Sequence, residues 1–395
     1  MRIGKTIYLD HQATTPVDSQ VLGKMLPYFS DLFANPHSAE HALGWESSRA
    51  VEDSRAQIAE LIRADADEII FTSGATEANN HALLGLAASA PARQRRQILI
   101  GSIDHKSTLA VGRVLQDRGF AVAHLRVDSN GHLDLEDLLA KINPAVLVVS
   151  ICLVNSEIGT IQNLSQIHAI AREHGVLLHC DAAQAPCAMD MSGVSDMADL
   201  ISLSAHKMYG PKGIGALYVR RQLQPFIEPI IHGGGQQSNL RSGTLPTPLC
   251  VGFGAAAELI SKSGASEERA RIRRQRDLFL SRLFELPWSI TSNGGHGDSH
   301  HPGNANVQFA GFSGHDLLGV LQPNLAASTG SACASGIPEP SHVLRAIGLT
   351  NEQASTSVRF CIGRRTTDAD IHDAIELISG ALSQMSDAGL RQAAD

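Results

Sequence analysis

The chain has no Cys-x-x-Cys pair. Its six cysteines, Cys152, Cys180, Cys187, Cys250, Cys333 and Cys361, are scattered through 395 residues. That spacing excludes the ligand pattern of a structural zinc site, and a disulfide framework is not expected at this size. Long apolar runs are missing too. The longest, Ala145 to Val154, is interrupted by Ser150 and is far too short to span a bilayer. The opening MRIGKTIYLD lacks the apolar region of a secretory signal. Together these absences lead us to expect a reducing, cytoplasmic setting and no membrane partner. No fixed-period repeat or low-complexity tract is present. The formal charge of −8 argues against broad electrostatic binding to nucleic acid, and the short run Arg93, Arg95, Arg96 reads as a solvated face.

What is present describes a large globular protein. Hydrophobic residues at 43% and charged residues at 18% are near globular averages, so wholesale disorder is not expected. The length suits a large domain plus a smaller one. From about residue 50 to 220, short apolar runs alternate with helical patterns. Strands are expected at Glu68–Thr72, Ile98–Ser102, Ala121–Arg126, Ala145–Ile151, Val176–Cys180, Asp199–Ser204 and Gly215–Val219. Between them lie amphipathic stretches such as Asn163–His174, with Leu164, Ile167, Ile170 and Ala171 at helical spacing. This alternation predicts an α/β fold around a mostly parallel sheet. The texture changes near residue 260, where a charged helical run, Ser266–Leu283, precedes the Gly/His-rich loop Asn293–Gly303 and a smaller α+β segment.

Four motifs carry candidate chemistry. In Phe71-Thr-Ser-Gly-Ala-Thr-Glu-Ala-Asn79 a β-run ends at a Ser-Gly turn and a helix begins at once, so free backbone N–H groups and the Thr76 hydroxyl make a phosphate seat. Simple N-capping by Thr72 or Ser73 is the alternative. In His179-Cys-Asp-Ala-Ala-Gln184, Asp181 ends a buried strand, where an acidic residue of an open α/β sheet points into the ligand crevice and can hold a pyridinium nitrogen protonated. A loop cap is the plainer role for it. In Ser202-Leu-Ser-Ala-His-Lys-Met-Tyr-Gly-Pro-Lys-Gly213, Lys207 follows an apolar strand and is a Schiff-base candidate, whereas Lys212, between Pro211 and Gly213, reads as a surface residue in a turn. Finally, Ser328-Thr-Gly-Ser-Ala-Cys-Ala-Ser-Gly336 places Cys333 among small residues that bury a thiol poorly. Cys152, Cys180 and Cys250, in apolar runs, read as inert core fillers.

Taken in order, these motifs resemble the cysteine desulfurases of the class V aminotransferase family, nearest to the NifS/IscS-like group. The similarity runs from Tyr8-Leu-Asp-His-Gln-Ala-Thr-Thr-Pro16 to about Leu377. It includes Asn35-Pro-His-Ser38, Asp104-His-Lys106, Asn155-Ser-Glu-Ile-Gly159, His232-Gly-Gly-Gly235, Arg241-Ser-Gly-Thr-Leu-Pro246 and Ser357-Val-Arg-Phe360. The resemblance implies a pyridoxal 5'-phosphate transferase of fold type I, acting as a homodimer. Its large domain would span 15–260, and residues 1–14 would join 261–395 in a small domain carrying the Cys333 loop. Lys207 would carry the cofactor, Asp181 would partner the ring nitrogen and Gln184 the ring hydroxyl. His105 would stack on the ring and move protons. Ala75, Thr76, Ser204 and His206 would bind phosphate, joined by Thr244 from the other subunit. Arg359 would hold the substrate carboxylate, a role its fork-shaped cation suits. Asn155 would reach cofactor and substrate, and Asn35 the substrate.

The implied reaction converts L-cysteine to L-alanine and leaves the sulfur on Cys333 as a persulfide. An acceptor protein in iron–sulfur assembly, tRNA thiolation or DNA phosphorothioation would take it onward. Two departures from the group stand out. Ser156 occupies a position where the pattern has a second asparagine, and the sequence ends at Asp395, without the longer tail by which housekeeping members engage their scaffold. Cys361, beside Phe360, is the competing thiol. A selenocysteine lyase or aminotransferase on the same fold is the rival activity, and a catalytically silent scaffold is the non-enzymatic one.

Overall fold

The structure is a computed structural model and describes residues 1–89, 94–330 and 340–389. Arg93 and Cys333 therefore lie outside the described residues. The chain opens with β1 (Arg2–Ile3) and β2 (Thr6–Tyr8). Seven strands follow: β3 (Ile69–Thr72), β4 (Gln97–Gly101), β5 (Ala121–Leu125), β6 (Val146–Cys152), β7 (Leu177–Asp181), β8 (Leu200–Ser204) and β9 (Gly215–Val219). The C-terminal part adds β10 (Ile290–Ser292), β11 (Asn304–Phe309), β12 (Leu325–Ala326) and β13 (Ser357–Cys361).

Strands β3 to β9 form one sheet in the order β3-β9-β8-β7-β6-β4-β5. Only β9 runs against its neighbours; β8, β7, β6, β4 and β5 pair in parallel. All residues of β6 and β8 are buried, as expected of parallel strands covered by helices on both faces. Two apolar clusters fill those faces, one with Phe71, Ile151 and Phe253, the other with Ile98, Leu83 and Val148. A separate cluster unites Ile7 and Leu9 with residues from Ile272 to Met385, around the antiparallel sheet β10-β11-β13. Thus the first strands of the chain pack with its last third.

Local sequence explains the elements well. Helix Leu164–Glu173 buries Leu164, Ile167 and Ala171 and is capped by Asn163, whose side chain accepts from the Gln166 N–H. The basic face at Arg95 and Arg96 spends its guanidinium groups on the carbonyls of Gly175 and Arg118. Strand order matters most for the site. β5 lies on one side of β4 and β6 on the other, so the winding direction reverses between β4 and β6. The segments leaving the C-terminal ends of such strands flank a crevice, the usual ligand position in an open α/β sheet.

Candidate active site

That crevice is a cleft of about 650 Å³, within the range of small-molecule sites. Its walls include Ala75, Thr76, His105, Asn155, Asp181, Gln184, Ser204, His206, Lys207 and Arg359. The structure thus brings ten of the residues expected from sequence around one space. It does not bring in Asn35, which is exposed and uses its Oδ1 to accept from the His37 N–H at 3.0 Å. Thr244 is likewise exposed and outside the cleft walls of its own chain.

Lys207 closes a single helical turn after β8 and donates from Nζ to the carbonyls of Gln12 and Ala13, at 2.6 and 2.9 Å. Burial lowers the ammonium pKa to about 8, and the Arg359 guanidinium adds to the effect. Lys212 stays exposed but also lines the cleft, so its turn is part of the site rather than remote surface. Asp181, the last residue of β7, accepts from the Ala183 N–H at 3.0 Å and from the Asn79 amide at 2.7 Å. The second Asn79 amide proton goes to Ser107 Oγ at 3.0 Å. Ser107 in turn meets His105 Nδ1, through its hydroxyl at 2.8 Å and its N–H at 3.1 Å. With two donors on Nδ1, the neutral His105 ring carries its proton on Nε2. The surrounding protein lowers the His105 pKa, with Lys207 adding to that and Asp181 opposing it. Motif reading did not anticipate roles for Asn79 and Ser107, because they come from different helices and meet only in the fold.

The helix Ala75–Ala88 starts at Gly74, which has φ 151° and no side-chain cap. Thr72 does not cap it; its hydroxyl instead braces the Gly74 carbonyl at 3.0 Å. The first-turn N–H groups are therefore left for a ligand. Gly215 of β9 permits this turn to sit so close, since a Cβ there would lie 2.6 Å from Gly74 Cα. Ser204 and His206 line the cleft with that turn. Burial brings His206 down to about 4, so it is neutral and bonded through Nδ1 to Thr14 Oγ1 at 3.1 Å.

Arg359, also in the cleft wall, is 6% exposed and sits in β13. Its Nη2 donates to Asp10 Oδ1 at 2.7 Å and Ser328 Oγ at 2.6 Å, and its Nη1 to the Ser156 carbonyl at 2.8 Å. Nε is buried and has no partner among the described residues. Asn155 spends its amide on backbone groups, donating to the Ile103 carbonyl beyond β4 and accepting from the Glu157 and Ile158 N–H groups of its own loop. Gln184 donates to the Gln12 carbonyl at 2.9 Å. Beside them, Glu157 is buried, which raises its pKa, and accepts from the Ser341 hydroxyl. Glu157 lies within the Asn155–Gly159 motif, but the sequence had given it no role.

The five cysteines within the described residues are all free. Burial pushes Cys187, Cys250 and Cys361 up to about 12, and Cys152 and Cys180 well above the ordinary value. Cys361, the competing thiol, is 1% exposed. No group of three or more potential metal ligands occurs among the described residues. No helix among them is long and apolar enough to cross a membrane.

Pyridoxal phosphate fits this donor set. An uncapped helix start with Ser204 and His206 suits a phosphate, and the Asp181 carboxylate suits a protonated ring nitrogen. A lysine with a lowered pKa suits a carbonyl partner. The class-V aminotransferase family profile matches residues 7–373. The cysteine desulfurase IscS of Rickettsia typhi is 44% identical over 379 residues, 96% of this chain and 92% of that protein. A solved NifS-like protein superposes with a TM-score of 0.89 at 31% identity, covering 96% of this chain and all of that one. SspA, solved in complex with cysteine, gives a TM-score of 0.80 at 36% identity over 92% of this chain and all of its own.

Proposed function

The chain belongs to the class-V aminotransferase family, among its pyridoxal-phosphate-dependent cysteine desulfurases, and from that premise we propose how its own residues carry the reaction. The reaction removes sulfur from L-cysteine, leaves L-alanine, and stores the sulfur on Cys333 for an acceptor protein. The observation that carries this reading is one cleft holding the low-pKa Lys207 amine, the Asp181 carboxylate and an uncapped helix start.

Bound there, pyridoxal phosphate supplies an electron sink that makes the Cα–H bond of an amino acid labile. Ala75, Thr76, Ser204 and His206 hold its phosphate, Asp181 its ring nitrogen, and Gln184 its ring hydroxyl. Lys207, whose lowered pKa makes part of its side chain a free amine, would take the Cα proton of the bound substrate. His105 lines the cleft and is backed, through Nδ1, by Ser107, Asn79 and Asp181. Arg359 receives the substrate carboxylate by exchanging its contacts with Asp10 and Ser328. The sulfur step balances simply. The Cβ–S bond of cysteine breaks, a bond forms to Cys333 Sγ, and cysteine plus thiol become alanine plus persulfide. The raised pKa values of the five described cysteines support Cys333 as the acceptor, since a thiolate is the nucleophile.

The domain division at 15–260, with 1–14 joined to 261–395, is supported by the separate cluster that unites Ile7 and Leu9 with the C-terminal third. A homodimer is supported by Thr244 and Asn35, both exposed on their own chain, and by the exposed apolar side chains of residues 22–45. The free cysteines fit a reducing cytoplasm.

The test is mass spectrometry of alkylated protein after brief exposure to L-cysteine, run with an alanine assay. Wild type should carry the extra sulfur on Cys333. Cys333→Ser should keep its cofactor and lose the persulfide and nearly all alanine release; Cys361→Ser should lose much less. Sulfur on another residue, or undiminished turnover in Cys333→Ser, sinks the reading. Alanine released without any protein persulfide would favour the lyase.

A further inference from the structure

Glu77 sits in the first turn of helix Ala75–Ala88, one residue beyond Thr76. Its Oε2 accepts the Ser73 N–H at 2.7 Å, which pins the Ser73–Gly74 turn. A carboxylate at a helix start is ordinary capping, but here it competes with a bound phosphate for the same positive end. Arg241, 164 residues away in sequence, resolves the conflict. Its Nε donates to Oε1 at 2.9 Å and its Nη2 to Oε2 at 3.2 Å, a two-pronged contact. Both side chains are largely buried, with 17% exposure for Arg241 and 10% for Glu77. Burial alone would raise the Glu77 pKa, yet the hydrogen bonds from Arg241 and Ser73 outweigh it and the net shift is downward. Glu77 therefore remains charged. His81, one turn further along, cannot compensate: burial brings it down to about 4, so it is neutral.

We propose that Glu77 and Arg241 form a charge-neutral brace for the phosphate seat. Glu77 is a positioning residue that fixes the Ser73–Gly74 turn, and Arg241 cancels the charge that would otherwise repel the phosphate. This rests on the seat assigned above and goes further, by naming what sets its preference for an anion. Neither residue touches the reacting atoms, so the effect belongs in cofactor affinity.

The experiment titrates apo-enzyme with pyridoxal phosphate and, in parallel, with pyridoxal, which lacks the phosphate. Arg241→Gln leaves a buried carboxylate unpaired, and its affinity for pyridoxal phosphate should fall by about tenfold or more. Its affinity for pyridoxal should hold. Glu77→Gln, whose amide oxygen still accepts from Ser73, should lose less. The double variant, with no net charge, should bind pyridoxal phosphate better than Arg241→Gln alone. Arg241→Lys keeps the charge without the fork and should stay within about threefold of wild type. This variant keeps the test decisive if Arg241→Gln folds poorly. Equal losses for both ligands, a double variant no better than Arg241→Gln, or an Arg241→Lys as weak as Arg241→Gln would overturn the brace. A wild-type enzyme that binds pyridoxal as tightly as pyridoxal phosphate would instead overturn the seat itself.

Discussion

A lysine ammonium in water keeps its proton up to its ordinary value of 10.5, where it is a poor nucleophile near neutrality. Lys207 escapes this because burial and the Arg359 charge disfavour the protonated form, bringing it to about 8. At pH 7 roughly a tenth of the side chains are then neutral, against far fewer for a solvated lysine. The amine fraction therefore grows as pH rises, reaches one half at about 8 and saturates only above that. Loading of apo-enzyme with pyridoxal phosphate should therefore accelerate with pH and level off above that value, followed by absorbance. Lys207→Ala should show no cofactor band or turnover, whereas Lys212→Ala should retain both. Borohydride reduction that labels Lys212 would refute the assignment, and so would a rate still climbing at pH 10.

Elements contribute through how closely their backbones approach. The Ser73–Gly74 turn presses against β9, where a Cβ on Gly215 would lie 2.5 Å from the Leu203 carbonyl oxygen and 2.6 Å from Gly74 Cα. Both contacts are backbone, so no rotamer change relieves them. Gly215→Ala should cost about 1–3 kcal/mol of stability and weaken pyridoxal phosphate binding, because the turn must move. Thermal melting and cofactor titration check this; an unchanged melting point and affinity would refute the close-approach account. Strand positions themselves were legible in sequence. Gly215–Val219 was expected as it stands, and Val146–Cys152 differs by one residue at each end from the expected strand Ala145–Ile151. Apolar β-branched runs reveal such strands because both faces are buried. The phosphate turn was less clear, since Thr72 and Ser73 are good caps on paper. Only the structure shows Gly74 at the cap position with no side chain closing it.

For the whole molecule, surface composition bears on assembly. Leu22, Leu26, Phe29, Phe33, Leu43 and Trp45 are 44–70% exposed within one short stretch of sequence. Apolar exposure of this kind marks interaction surfaces. If a second copy covers these side chains and supplies Thr244 to the first copy's site, charge placed there should separate the subunits and remove activity together. Phe33→Glu combined with Trp45→Glu should sediment as a monomer with turnover lost, beside a dimeric wild type. A monomeric wild type with full activity would overturn the shared-site arrangement, as would a doubly substituted dimer with unchanged turnover.

Beyond the role of Arg359, which only the family resemblance implies, the sequence by itself determined the α/β alternation, the change of texture near residue 260 and the motifs around Lys207, Asp181 and Thr76. Each is a local signal, written in periodicity, in glycine at a turn, or in a polar residue at the end of an apolar run. Only the tertiary structure decided which side chains meet. Asn79 links Asp181 to Ser107, Asp10 pairs with Arg359 across 349 positions, and Arg241 reaches Glu77 across 164. No spacing rule reveals such pairs. Their partners lie on separate elements, brought together by the strand order and by the packing of Ile7 and Leu9 into the C-terminal core. Burial of Lys207 belongs to the same class, because the desolvation that lowers its pKa comes from the walls of a cleft that exists only once the chain has closed around it.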